Sequence, residues 1–229
     1  MENRIALYFS GRVYGFDEVY LKKIIQQFET TFRQKVDIFI SSNSHKESFD
    51  QFVEVFKPVA HEFKDFVIPP EFFYYSKQGR FCNLEDFSKM FYHNNNCFNM
   101  ITSYMKEQHI NYNIIIKFRG DIISEFDLNL DPIVNPNTVY IPPGNDAYDG
   151  LTDIWAYGDF KSMEKYSTIW QYIPLLVEYY NCPMHPETLV KVQINANNLN
   201  VVRFNYKYKL NPRRKPGITT DVNLDYYQL

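Results

Sequence analysis

Apolar positions in the first 120 residues recur with two alternating periods. Ile5-Ala6-Leu7-Tyr8-Phe9 is a short continuous apolar run that predicts a buried strand, closed by the turn Ser10-Gly11-Arg12. Leu21, Ile24, Ile25, Phe28 and Phe32 then fall on one helical face, with Asp17 placed to cap it. Val36 to Ile40 predicts a second strand ending in Ser41-Ser42-Asn43-Ser44. Phe49, Phe52, Val53 and Phe56 give a second helical stripe that stops before Pro58. Phe63 to Ile68 predicts a third strand, closed by Pro69-Pro70, and residues 71–84 are expected to form a loop over a site.

A long helix is expected over Glu85 to Gln108, where Phe87, Phe91, Phe98, Ile101 and Met105 share a face and Asn94 interrupts it. Ile114-Ile115-Ile116 is a β-branched run typical of a central strand covered on both sides, and it runs out through Phe118 into Arg119-Gly120-Asp121. A strand is expected at Thr138 to Ile141, helices around 160–180 and 186–198, and a last strand at Val201 to Phe204. The alternation predicts one α/β domain over residues 1–210, a mostly parallel central sheet flanked by helices, with residues 211–229 as a tail on its surface.

In such a sheet a ligand binds at the carboxyl ends of the strands. Three of those ends are polar: Ser10-Gly11-Arg12, Ser42-Asn43 and Arg119-Gly120-Asp121. Gly11 lets a ligand approach the backbone and Arg12 supplies charge for a phosphate. Arg119 and Asp121, two apart on an extended segment, project to one side and could hold a diphosphate and a metal or sugar hydroxyl. The alternatives are that they pair with each other, or that Gly120 is the reason for the motif.

Between Asn145 and Asp159, four aspartates interleave with Tyr148, Trp155 and Tyr157, a mixture suited to sugar hydroxyls and sugar faces. Asp153, at the head of an apolar stretch, is the preferred base for an acceptor hydroxyl, while capping of turns and helices is the alternative for each acid. His185-Pro186-Glu187 opens a helix, where Glu187 serves the helix dipole or, with His185, faces the site.

Composition narrows the classes. A formal net charge of −3 argues against a nucleic-acid binder, and Arg213-Arg214-Lys215 reads as a solvated part of the tail. With 20 Phe, 19 Tyr and 2 Trp, most rings must fill a core, leaving few for sugar stacking. Cys82, Cys97 and Cys182 are odd in number and far apart, suggesting a reducing compartment. No signal-peptide core and no apolar run of about 18 residues is present, so no integral membrane segment and a cytoplasmic location are expected. Neither GxGxxG nor GxxxxGK[ST] occurs.

Read in order, IALYFSGRVYGF, VDIFISSNS, NYNIIIKFRGDI, DIWAYGDFKSMEKYSTIW and HPETLVKVQINANNLNVVR resemble the successive motifs of a group of nucleotide-sugar glycosyltransferases with a GT-A-like, Rossmann-like fold. Such enzymes are found in bacteria and large DNA viruses, including chloroviruses, which would make the location a host cytoplasm if the chain is viral. The resemblance spans most of residues 4–204. It implies a nucleotide-sugar donor and a glycan or other hydroxyl acceptor, with Ser10, Gly11, Arg12 and Asn43 near the nucleotide and Arg119 near its diphosphate. Asp121 would stand where the family has the last acid of a metal-binding DxD and hold a divalent cation, manganese or magnesium. Asp153 would lie by the acceptor or the transferred sugar. Two departures stand out: Gly11-Arg12 replaces the family's Gln-containing opening, and position 119 is not acidic. A non-catalytic nucleotide- or carbohydrate-binding α/β protein is the alternative.

Overall fold

A computed structural model describes residues 3–75, 83–124, 128–144, 146–206 and 208–210. The expected tail over 211–229, with Arg213, Arg214 and Lys215, lies outside the described residues, as do Cys82 and Asn145. The chain runs β1 (Asn3–Ser10), α1 (Glu18–Phe32), β2 (Lys35–Ser42), α2 (Lys46–Phe56), β3 (Ala60–Phe63), α3 (Pro70–Tyr75), α4 (Leu84–Gln108) and β4 (Asn111–Phe118). There follow β5 (Ile122–Ile123), β6 (Thr138–Ile141), a 3-10 turn (Ala147–Asp149), β7 (Ala156–Gly158), α5 (Phe160–Ser167), α6 (Ile169–Glu178), α7 (Pro186–Ala196), β8 (Asn200–Arg203) and β9 (Lys209–Leu210).

Seven strands form one sheet in the order β3-β2-β1-β4-β7-β6-β8. Only β7 runs against its neighbours; every other pairing in this sheet is parallel. The protein therefore has the α/β architecture expected, a mostly parallel, Rossmann-like sheet between helices. The side-chain period of two sends alternate residues to two cores. Leu7, Phe9, Ile40, Ile116 and Phe118 face α1 and α2. Ala6, Tyr8, Phe39 and Ile115 face the layer of α3 to α7.

Local chemistry explains the element ends. The Asp17 carboxylate accepts the Tyr20 N–H and starts α1, and Asn83 does the same for Glu85 and Asp86 at α4. α1, α2 and α4 each close on a left-handed residue, Arg33, Lys57 and His109, whose N–H returns to the last turn. Three expectations shift. The third strand is Ala60–Phe63, earlier than residues 63–68, because it pairs with the end of β2 as a polar edge. Part of the expected loop after Pro69 is α3, which buries Phe72 and Tyr75. The helix around 160–180 is two, broken at Thr168.

Among the described residues no helix is long and apolar enough to cross a membrane. After β1 the chain builds β2 and β3 on one side, then returns through α4 to place β4 on the other. The carboxyl ends of β1 and β4 thus form the topological switch point of the sheet, where open α/β sheets bind ligands.

Candidate functional site

A cleft of about 330 Å³ opens at that switch point. Ser10, Gly11 and Arg12 come from the end of β1, Asn43 and Ser44 from the end of β2, and Lys117 and Arg119 from the end of β4. The first turns of α4 form one wall through Asp86, Phe87, Lys89 and Met90, and Pro186 of α7 touches it from the far side. Of the residues expected at a nucleotide site, Ser10, Gly11, Arg12, Asn43 and Arg119 line this one cleft; Asp121 and Asp153 do not.

The loop after β1 is held by its backbone. Gly11 sits at φ +74 with nothing near the position of a Cβ, so conformation rather than crowding calls for glycine. Its N–H donates to the Ser41 carbonyl at 3.0 Å, and its carbonyl accepts from the Ser42 hydroxyl at 2.5 Å. Arg12 reaches across the mouth to Asp86 at 3.0 Å, both side chains exposed. Beneath the loop, α4 is joined to the strand ends by buried polar bonds: Ser10 to Asn94, Ser41 to His93 Nδ1 at 2.8 Å, and Cys97 to the Phe9 carbonyl. Burial, aided by the Lys89 charge, lowers His93 to about 4 and keeps it neutral.

Arg119 and Asp121 form a bidentate ion pair, Nε to Oδ1 at 2.7 Å and a terminal nitrogen to Oδ2 at 3.0 Å. Burial opposes the Arg119 charge, but Asp121 outweighs it and holds the guanidinium protonated. A Cβ on Gly120 would meet only ordinary contacts, so that glycine is not what the motif requires. The resemblance implied a divalent cation on Asp121. Both oxygens of that carboxylate accept from Arg119, so a cation bound there would share the carboxylate with the guanidinium. Among the described residues no three His, Cys, Asp or Glu side chains are grouped to hold a metal.

Sequence reasoning passed over Lys117. It is the one polar residue in the apolar run of β4, and alternation turns it away from Ile116 and Phe118 toward the α4 side. That break in the run was the available signal. The side chain is 2% exposed, and its ammonium donates to the carbonyls of Asp153 and Ile154, the latter at 3.2 Å. Burial lowers it to about 8, with Asp153 acting against the drop.

The acids of the 146–159 segment separate by role. Asp146 accepts the Thr152 N–H and pairs with Arg203, Asp149 pairs with Lys191, and Asp159 caps α5. Trp155 and Tyr157, expected on a sugar-binding surface, are wholly buried core residues of β7 and its approach. Only Tyr148 of the three rings is exposed. Asp153 is 8% exposed and lies within electrostatic reach of Lys117, Arg119, His185 and Glu187.

Sequence reading left Glu187 and His185 between capping and function. The His185 side chain makes no cap bond, and its Nδ1 lies 3.2 Å from Glu187 Oε2. Burial lowers His185, whereas burial and then Asp153 raise Glu187 to about 7. Both shifts disfavour the charged forms, so the contact is weaker than a pair of two full opposed charges. The loop before it is clamped on: the Leu151 N–H donates to the Glu187 carbonyl at 2.9 Å, and a Cβ on Gly150 would lie 2.4 Å from the Glu187 backbone.

Comparison with curated proteins finds no match. One family model covers residues 82–216, and so takes in α4, Lys117, Arg119, Asp153 and the His185–Glu187 pair. That span is more than half of the chain, which therefore belongs to the family described as Domain of unknown function (DUF7796).

Proposed function

We propose that the protein is a glycosyltransferase that takes a nucleotide-sugar donor and transfers its sugar to a hydroxyl of a glycan or similar acceptor. The observation that carries this reading is the buried Lys117 ammonium in the wall of a switch-point cleft, bonded to two carbonyls and, among the described residues, to no carboxylate. A cation withdrawn from water without a bonded counter-ion calls for an anionic ligand. Arg119 stands two residues further on and Arg12 at the mouth, a spread of charge that suits a diphosphate better than a single carboxylate. The cleft's volume lies within the range of small-molecule sites. The order of motifs along the chain points to the same class.

In this reading the diphosphate lies against Lys117 and Arg119. Charge grows on it as the bond to the sugar breaks, and cations fixed in a low-dielectric wall stabilise that charge without reorganising. A divalent cation, if the donor brings one, would add to the same charge; the residues here perform the task through Lys117 and Arg119. The acceptor enters from the α7 side, where Asp153 and Glu187 are the two acids able to receive its hydroxyl proton.

Thermal-shift titration with inorganic pyrophosphate, nucleoside diphosphates and their sugars tests the proposal. Stabilisation by diphosphates that is lost in Lys117→Met and Arg119→Ala is expected. Stabilisation by none of them would overturn it. Product analysis with a nucleotide-sugar panel then separates transfer from binding alone.

A further inference from the structure

The cation wall accounts for the donor side of the cleft but leaves the far side unassigned. Three observations meet there. The His185–Glu187 pair, each residue more than nine-tenths buried, sits at the start of α7 beside Pro186, which lines the cleft. Over it lies Tyr148, 59% exposed, its ring edge-on to the His185 ring with centroids 4.6 Å apart. Tyr148 and Asp149 are consecutive non-glycine residues at φ 52 and 57. This left-handed conformation is unfavourable for Tyr148, less so for an aspartate, and the close approach of Gly150 and the Leu151–Glu187 bond fasten the segment beside it to α7.

We propose that Tyr148, His185 and Glu187 form the acceptor subsite, in which Tyr148 stacks on a sugar ring and Glu187 takes the proton of the attacking hydroxyl. The inference rests on the glycosyltransferase reading and deepens it. An exposed ring over a buried histidine–carboxylate pair matches a pyranose, with one apolar face and hydroxyls at its rim. In the reaction the acceptor oxygen forms its bond to the donor's anomeric carbon as its proton passes to the Glu187 carboxylate. The carbon–oxygen bond to the diphosphate breaks with its electron pair leaving on phosphate, against Lys117 and Arg119. Attack from the side opposite the leaving group inverts the anomeric configuration. His185 orients the carboxylate. Burial and then the Asp153 charge raise the proton affinity of Glu187, which Asp146, Arg119 and Tyr166 also face.

These roles assign different effects to neighbouring variants. Glu187→Gln lowers transfer by about 10²–10⁴-fold, the range for a general base, and leaves donor affinity unchanged. Asp153→Asn moves the acid limb of the pH profile to lower pH, because a charge that raises Glu187 is gone. Tyr148→Gly relaxes the backbone and removes the ring, so it folds and loses acceptor binding; Tyr148→Trp restores it.

The experiment combines product analysis with an NMR titration of the His185 ring by a panel of methyl hexopyranosides. Expected are an inverted product, transfer lost in Glu187→Gln, and His185 shifts that Tyr148→Gly abolishes. A retained anomeric configuration, full transfer by Glu187→Gln, or glycosides that leave His185 unmoved would overturn the subsite. If glycosides shift His185 while no nucleotide-sugar binds or turns over, the subsite's sugar recognition stands and the reading of function falls.

Discussion

Replacing Lys117 by methionine tests the reasoning about the cleft most directly, because structure and function predict opposite responses. The fall of Lys117 from its ordinary 10.5 to about 8 corresponds to about 3 kcal/mol of disfavour for the charged form inside the wall. Methionine keeps the apolar stem and removes that charge. Against the gain, the carbonyls of Asp153 and Ile154 lose their donor, at about 1 kcal/mol each. Lys117→Met should therefore be more stable than the parent at pH 7 by about 1 kcal/mol, or about 2–4 °C for a chain of this length. The sign of the pH dependence follows from linkage. The native pKa lies below the unfolded one, so between about 8 and 10.5 the unfolded chain binds more protons and the parent gains stability as pH rises. The variant's advantage should shrink through that window and reverse by about pH 10. Urea melts of both proteins at pH 7, 8.5 and 10 read this difference, in which groups common to the two cancel. Pyrophosphate should stabilise the parent and not the variant. A variant weaker by more than about 2 kcal/mol at pH 7 would mean that the ammonium holds the fold rather than awaiting a ligand. A stability difference independent of pH would refute the burial argument.

Other outcomes follow from the same geometry. Arg119→Ala should weaken diphosphate binding by about 1.5–3 kcal/mol, measured by calorimetry, as expected for a charge-assisted contact. Asp121→Asn, melted in chelated buffer, should lose about 1–3 kcal/mol because the partly buried Arg119 charge is left without its carboxylate; a silent substitution would return Asp121 to the cation-ligand role. Gly150→Ala should cost about 1–3 kcal/mol in urea melts, since its Cβ meets the Glu187 backbone, and it should perturb the His185 ring resonances. Transfer should be confined to a narrow pH band, rising as Glu187 loses its proton near 7 and falling as free Lys117 loses its own near 8.

Where local chemistry decides, the sequence was legible. The apolar run at Ile5, the cap at Asp17 and the stripe along α4 all reappear within a residue or two. So did the meeting of three polar strand ends, since the ends of adjacent parallel strands must be neighbours. What was not legible depended on tertiary partners. Trp155 and Tyr157 read as surface rings because the acids around them suggested a loop, whereas β7 inserts between β4 and β6 and buries both. Nothing local marks an antiparallel strand of three residues. Whether Asp121 meets a ligand or pairs with Arg119 stayed open, because that bond depends on where the chain turns after β4. Lys117 was masked by the run of isoleucines before it, and its carbonyl partners lie 36 and 37 residues away.

The polar stitching between α4 and the strand ends has a consequence for substrate choice. Hydrogen bonds have narrow tolerances, and three of them fasten one wall of the cleft to its floor through Ser10, Ser41 and Cys97. With His93 neutral over the physiological range, acidity does not loosen them. A donor therefore meets a surface already in its final shape, and little binding energy is diverted to rearranging it. The compliant part is the mouth, where Arg12 and Asp86 form an exposed ion pair that solvent weakens and a ligand can open. Selection for a different nucleotide would act on that hinge of charge and leave the stitched wall untouched.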